Sequence, residues 1–113
     1  MSTATYQEDI QKLVGRQLQE LGIPIHRSGY KQLCIAIPYY AAHSTHSITK
    51  DLYPYVAEQF GYVDCRSVER SMRYAISTSW KRRNGTAWDR LFPDSVKSPS
   101  NALFIATIAN RIR

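Results

Sequence analysis

Residues 47–83 read SITKDLYPYVAEQFGYVDCRSVERSMRYAISTSWKRR: two apolar-periodic stretches, joined by a turn containing Gly61 and closed by the cations Lys81, Arg82 and Arg83. In the first stretch Ile48, Leu52, Val56 and Phe60 recur at four-residue steps, which lines them along one face of a helix. Ser47 is a residue type suited to cap that helix. The helix is expected to run from Ser47 through Phe60, with a local bend at Pro54. Gly61, Tyr62 and Val63 form the turn, Asp64 caps, and a second helix follows over about residues 65–82. At about 100° per residue, Val68, Met72, Ala75 and Ser79 cluster on one side of it, and Arg66, Arg70, Arg73, Ser77 and Lys81 nearly opposite. Ala57 supplies a small residue where two helices cross, and Gly61 the turn. The pattern is a helix-turn-helix whose second helix has one packing face and one basic face.

A basic helix face has a specific use. An α-helix fits the major groove of B-DNA, and an Arg on its outer side donates two hydrogen bonds to guanine O6 and N7. Arg70 and Arg73 are therefore candidate base readers. Glu69 stands among them and has two readings, which the sequence leaves open: an ion-pair partner that orients the guanidinium groups, or an acceptor for cytosine N4. Lys81, Arg82, Arg83 and Arg90 follow the helix's first turns, which reach furthest into the groove, and are assigned to phosphate or to solvated surface.

Working outward, Ile10, Leu13, Val14, Leu18 and Leu21 make an amphipathic helix from Tyr6 to Leu21, ended by Gly22 and Pro24. Gly29 to about His43 is a second, carrying Tyr30, Leu33, Cys34, Ile37 and Ala41, with Pro38 as a candidate kink. Asn84-Gly85 stops the basic helix. Trp88, Leu91 and Phe92 mark a short fifth helix closed by Pro93, and Asn101 to Ile112 carries Leu103, Phe104, Ile105, Ile108 and Ile112 as the last. No stretch alternates with the period of a strand for long enough to argue a sheet. The expectation is an all-α, compact six-helix domain with the helix-turn-helix in its third and fourth helices, and 113 residues fit a single domain.

Charge agrees with this reading. Of a net +6, residues 1–65 hold 5 Lys+Arg against 6 Asp+Glu, whereas residues 66–113 hold 10 against 3. Cations gathered in this way favour a polyanionic partner, because they bind phosphate partly by releasing condensed counterions. Solubility is the competing use of such a surface. The N-terminus is polar and no apolar run spans a membrane, so a cytoplasmic protein without membrane contact is expected.

Other constellations read as structure. His43 and His46, with His26, Cys34 and Cys65, lack zinc-ligand spacing, so neither a metal nor another cofactor is expected, and both cysteines read as reduced thiols. Ser47-Ile-Thr-Lys50 matches the Ser-x-x-Lys pattern of acyl-transferring enzymes, yet Ser47 is better explained as a cap. With no phosphate loop, metalloprotease motif or carboxylate pair, no enzyme is expected. Tyr39, Tyr40, Tyr53, Tyr55 and Tyr62, with Trp80 and Trp88, are assigned to the core and its rim rather than to base stacking.

The chain also resembles the C-terminal effector domain of the sporulation initiation factor, the stage-zero sporulation protein A family. The resemblance spans about Ile10 to Arg113. It rests on residues 22–30 (GIPIHRSGY), residues 47–54 (SITKDLYP), residues 68–76 (VERSMRYAI), Trp80, Pro99-Ser-Asn101 and Phe104-Ile-Ala106. It implies six helices, the fourth entering the major groove, and base contact at Glu69, Arg70 and Arg73. Arg66, Ser67, Tyr74 and Ser77, with Lys81, Arg82 and Arg83, are then the residues that flank the base readers or meet the DNA backbone. Arg66-Ser67 is reversed against the family's Ser-Arg, and Tyr74 replaces a His. The family protein carries a receiver domain ahead of this effector. Both an excised domain and a stand-alone regulator fit, and the opening Met-Ser-Thr-Ala-Thr, leading almost directly into the first helix, favours the latter.

The expected function is a sequence-specific, double-stranded DNA-binding transcription regulator. Its expected partners are double-stranded DNA, a second copy on tandem sites, and RNA polymerase. The alternative is a protein-interaction module, an antagonist pairing with a full-length response regulator and binding DNA weakly; Arg70 and Arg73 argue against it.

Overall fold

Apolar residues at helical spacing, broken by Gly and Pro, fold into six α-helices among the residues the structure describes. The computed structural model describes residues 3–43, 47–61, 63–83 and 85–112. The helices are α1 (Thr3–Glu20), α2 (Ser28–His43), α3 (Tyr53–Gln59), α4 (Cys65–Lys81), α5 (Thr86–Leu91) and α6 (Asn101–Ile112). No strand occurs among the described residues, so the fold is all-α. The roles given above to His46, Tyr62 and Asn84 concern residues outside the described ones.

α1 ends as its sequence dictates. Gly22 takes φ +81°, a left-handed conformation that costs a glycine little. Its N–H donates to the Gln19 carbonyl while that of Ile23 donates to Leu18, the pair of bonds that closes a Schellman cap. Val14, Leu18 and Leu21 are buried, but Leu13 is exposed, so the α1 stripe is narrower than its periodicity implies. α2 continues through Pro38 as one helix and touches α1, α3, α4 and α6.

The segment expected as one helix from Ser47 to Phe60 is two elements. A π-helical turn, Ile48–Leu52, precedes α3. Ser47 caps the turn as expected, its Oγ accepting from Lys50 N–H at 3.0 Å. The physical reason for the split is Pro54, which has no N–H and whose ring collides with the carbonyl of an upstream helical turn. The wider π turn ends just before it, with the Tyr53 N–H bonded to the Ile48 carbonyl, and Pro54 falls in the first turn of α3, where a missing N–H costs nothing.

The tryptophans pack as expected. Trp80 and Trp88 are buried in an edge-to-face pair, centroids 5.5 Å apart, and Phe92 and Phe104 extend the cluster. The carbonyl of Leu21 joins α1 to this region: it accepts from Trp88 Nε1–H at 2.9 Å and from the buried Ser79 hydroxyl. Tyr53 is buried, whereas Tyr39, Tyr40 and Tyr55 lie half-buried at the rim. In α6, Phe104, Ile105, Ile108 and Ala109 face the core and Leu103 remains 52% exposed.

Candidate nucleic-acid interface

The turn that sets the two helices against each other is glycine-dependent. Gly61 has φ +78°, and the Val63 N–H reaches back to the carbonyl of buried Ala57 at 3.2 Å. Asp64 then caps α4, its Oδ1 accepting from Arg66 N–H at 2.7 Å. A carboxylate there satisfies an otherwise orphaned donor and complements the positive end of the helix dipole.

α4 divides as its periodicity predicts. Val68, Met72, Ala75 and Ser79 are buried, joined by Ile76 and Trp80. On the outside Arg66, Ser67, Arg70, Arg73, Tyr74, Lys81, Arg82 and Arg83 are exposed, and Glu69 and Ser77 are partly covered. These ten residues thus lie on or just beyond the outer side of one helix and its C-terminal end, whereas Arg90, the eleventh candidate, is exposed on α5.

Their side chains are not equivalent. Arg73 pairs with Glu69 at 3.0 Å, one helical turn apart. Arg66 lies 3.8 Å from the Asp64 carboxylate, both exposed. Among the described residues Arg70 pairs with no carboxylate. Ser77 donates its hydroxyl proton to the Tyr74 carbonyl at 3.2 Å, so its donor is already spent within the helix. Arg83 folds back: its guanidinium carbon sits 3.5 Å from the Trp80 ring centroid and its Nη1 donates to the Trp80 carbonyl. Cation–π attraction holds it there, and among the described residues it is the one of the terminal cations already engaged by the protein.

Two features of this surface escape a reading by periodicity. The start of α2 is seated on α4: a Cβ on Gly29 would lie 2.5 Å from the Ser71 carbonyl oxygen and 2.7 Å from the Ala75 Cβ, so only glycine permits the contact. The start of α6 is tied to the same helix, for Asn101 donates its amide protons to the Glu69 carbonyl and the Tyr53 hydroxyl, both at 3.0 Å. Burial pushes the Tyr53 phenol above its ordinary pKa; the bond from Asn101 opposes this, Glu69 adds to it and Arg73 subtracts. The one hint in the sequence was Gly29 itself, a poor helix former at a helix start.

Among the described residues no three His, Cys, Asp or Glu side chains gather as a metal site, and no helix is long and apolar enough to cross a membrane. The model of the family described as "Sporulation initiation factor Spo0A C terminal" matches residues 14–112.

Proposed function

The chain belongs to the sporulation initiation factor Spo0A C-terminal family, a family of DNA-binding domains of transcription regulators, and from that premise we propose that it acts as a single effector domain reading specific double-stranded DNA with α4 in the major groove. The observation that carries the reading is Arg70: an exposed guanidinium without a carboxylate partner among the described residues, on a helix whose opposite face is locked into the core. Such a group is free to donate two parallel bonds to guanine. Arg73 and Glu69 act as a second, coupled reading unit, and Lys81 and Arg82 hold phosphate beside it. Arg66, Ser67 and Tyr74 border the base readers. Two copies bind tandem sites, with the exposed Leu103 of α6 as the apolar contact, and RNA polymerase is engaged from a face other than α4.

The test is a mobility-shift titration of Arg70→Ala on a duplex selected from a random pool and on its scrambled counterpart. Loss of about 1–3 kcal/mol on the selected duplex alone, with relaxed preference at one base pair, supports the reading. Equal weakening on both duplexes confines Arg70 to phosphate and removes it from the base readers.

A further inference from the structure

We infer that Arg27 and Lys97 are DNA-phosphate contacts on opposite flanks of α4, so that the protein holds both backbones of the groove that α4 enters. This rests on the reading of α4 as the helix in the major groove. A helix so placed runs between two phosphate backbones. A cation beside each flank of the helix therefore meets a different strand.

Glu69 and Tyr74 mark the two flanks, about 140° apart at 100° per residue. On the Tyr74 side lies an open groove lined by Arg27, just before α2, by Ser28 and Gly29 at its start, and by Arg70, Ser71 and Tyr74 from α4. The Arg27 guanidinium carbon stands 5.9 Å from the Tyr74 ring centroid, within the range of cation–π attraction. Among the described residues no carboxylate lines this groove. Gly29 is what brings it about, because its missing side chain lets α2 carry Arg27 up to α4.

On the Glu69 side, a second groove sets Lys97, Ser98 and Ser100 against Glu69, Arg73 and Ser77. The segment is held at its C-terminal end, where two adjacent residues are fixed. Asn101, buried and bonded to the Glu69 carbonyl, anchors it to α4, and Ser100 is committed to capping α6 through the Leu103 N–H at 3.1 Å. The one carboxylate that lines this groove among the described residues, Glu69, is already paired with Arg73. Arg27 and Lys97 are both exposed, and among the described residues neither pairs with a carboxylate. Two cations from distant parts of the chain, residues 27 and 97, thus bracket the helix that carries the base readers.

The experiment measures the salt dependence of duplex binding by fluorescence anisotropy, on a selected and a scrambled duplex. The proteins are the parent, Arg27→Ala, Lys97→Ala, the charge-retaining Arg27→Lys and Lys97→Arg, and Lys12→Ala. Lys12 is an exposed cation on the groove between α1 and α2 and reports loss of net charge alone. Each alanine at position 27 or 97 is expected to shallow the log K against log salt slope by about 0.9 on both duplexes, leaving base preference intact. The charge-retaining variants and Lys12→Ala are expected to keep the parental slope. An unchanged slope in the two alanine variants, with Arg70→Ala relaxing preference at one base pair in the mobility-shift titration above, overturns the two-flank grip and spares the reading of α4. An equal loss in all three alanine variants assigns the effect to overall charge and overturns the grip as well. A parent that binds neither duplex removes the reading of α4 and this inference with it.

Discussion

The carboxylate of Glu69 and the guanidinium of Arg73 are 3.0 Å apart on successive turns of α4, with Glu69 on the N-terminal side. That order is the favourable one for a helical ion pair, yet a pair this accessible contributes only about 0.3–0.5 kcal/mol. On the proposed reading of α4 its importance is positional, because an acid then sits where phosphates approach. Glu69→Gln is expected to leave the melting temperature nearly unchanged, tighten binding to scrambled DNA, and relax preference at one base pair. Tightening by the same factor on selected and scrambled duplexes would show that Glu69 only orients Arg73.

Gly29→Ala is expected to destabilise the fold by about 1–3 kcal/mol, the usual cost of forcing a methyl group into a packed contact. The added Cβ meets backbone oxygen and the Cβ of Ala75, neither of which is the yielding end of a long side chain. Thermal or urea unfolding measures this directly; a stability equal to the parent's would contradict the close seating of α2 on α4.

Neighbouring cations at the end of α4 should behave differently. Arg82→Ala and Lys81→Ala are expected to weaken selected and scrambled duplexes alike and shallow the salt slope by about one unit each. Arg83→Ala instead removes the cap over Trp80 and should cost stability of about 0.5–1 kcal/mol with little change in slope. Equal slopes for Arg82→Ala and Arg83→Ala would mean that DNA draws Arg83 off the indole.

Tandem sites should be bound cooperatively, with recognition helices about 34–36 Å apart. Leu103→Lys is expected to abolish the cooperativity while leaving single-site affinity intact, since the residue is exposed on α6 and not part of its buried face. Lengthening the spacer by half a helical turn should have the same effect. Affinities for one-site and two-site duplexes that differ only by site counting would exclude pairing.

Cys34 is expected to alkylate more slowly at about pH 8 than the same residue in denatured chain, and to speed up as pH rises beyond the usual thiol range. Burial pushes its thiol upward, and the Tyr30 hydrogen bond offsets only part of that; because the thiolate is the nucleophile, a raised pKa lowers the reactive fraction at a given pH. Peptide mapping after a timed iodoacetamide pulse reads the rate, and faster modification than in denaturant would refute the assignment.

What could be read from sequence was what repeats along one helix. The bounds of α6, the caps at Ser47 and Asp64, and the division of α4 into buried and exposed faces all follow from local spacing and side-chain chemistry. The split at Pro54 did not, because a proline predicts disruption without saying whether the chain bends or changes pitch. Arg27 does not stand out by charge counting, because the cation excess lies in the C-terminal half, and its neighbour Tyr74 is brought close only by the packing of α2 on α4. The bonds of Asn101 to Tyr53 and Glu69 likewise join residues 48 and 32 positions apart, which no periodicity encodes.

The carbonyl of Leu21 receives its two donors from residues 58 and 67 positions further along the chain. During synthesis that junction stays open until Trp88 has left the ribosome, so the apolar side of α4 lacks its final cover until then. Contacts of such long sequence separation form late and slow the search for the folded state. A chain that stops short of Trp88 is therefore expected to be a client for chaperones and proteases rather than a weak competitor for operators, and the ability to read DNA arises only once the segment beyond α4 has emerged.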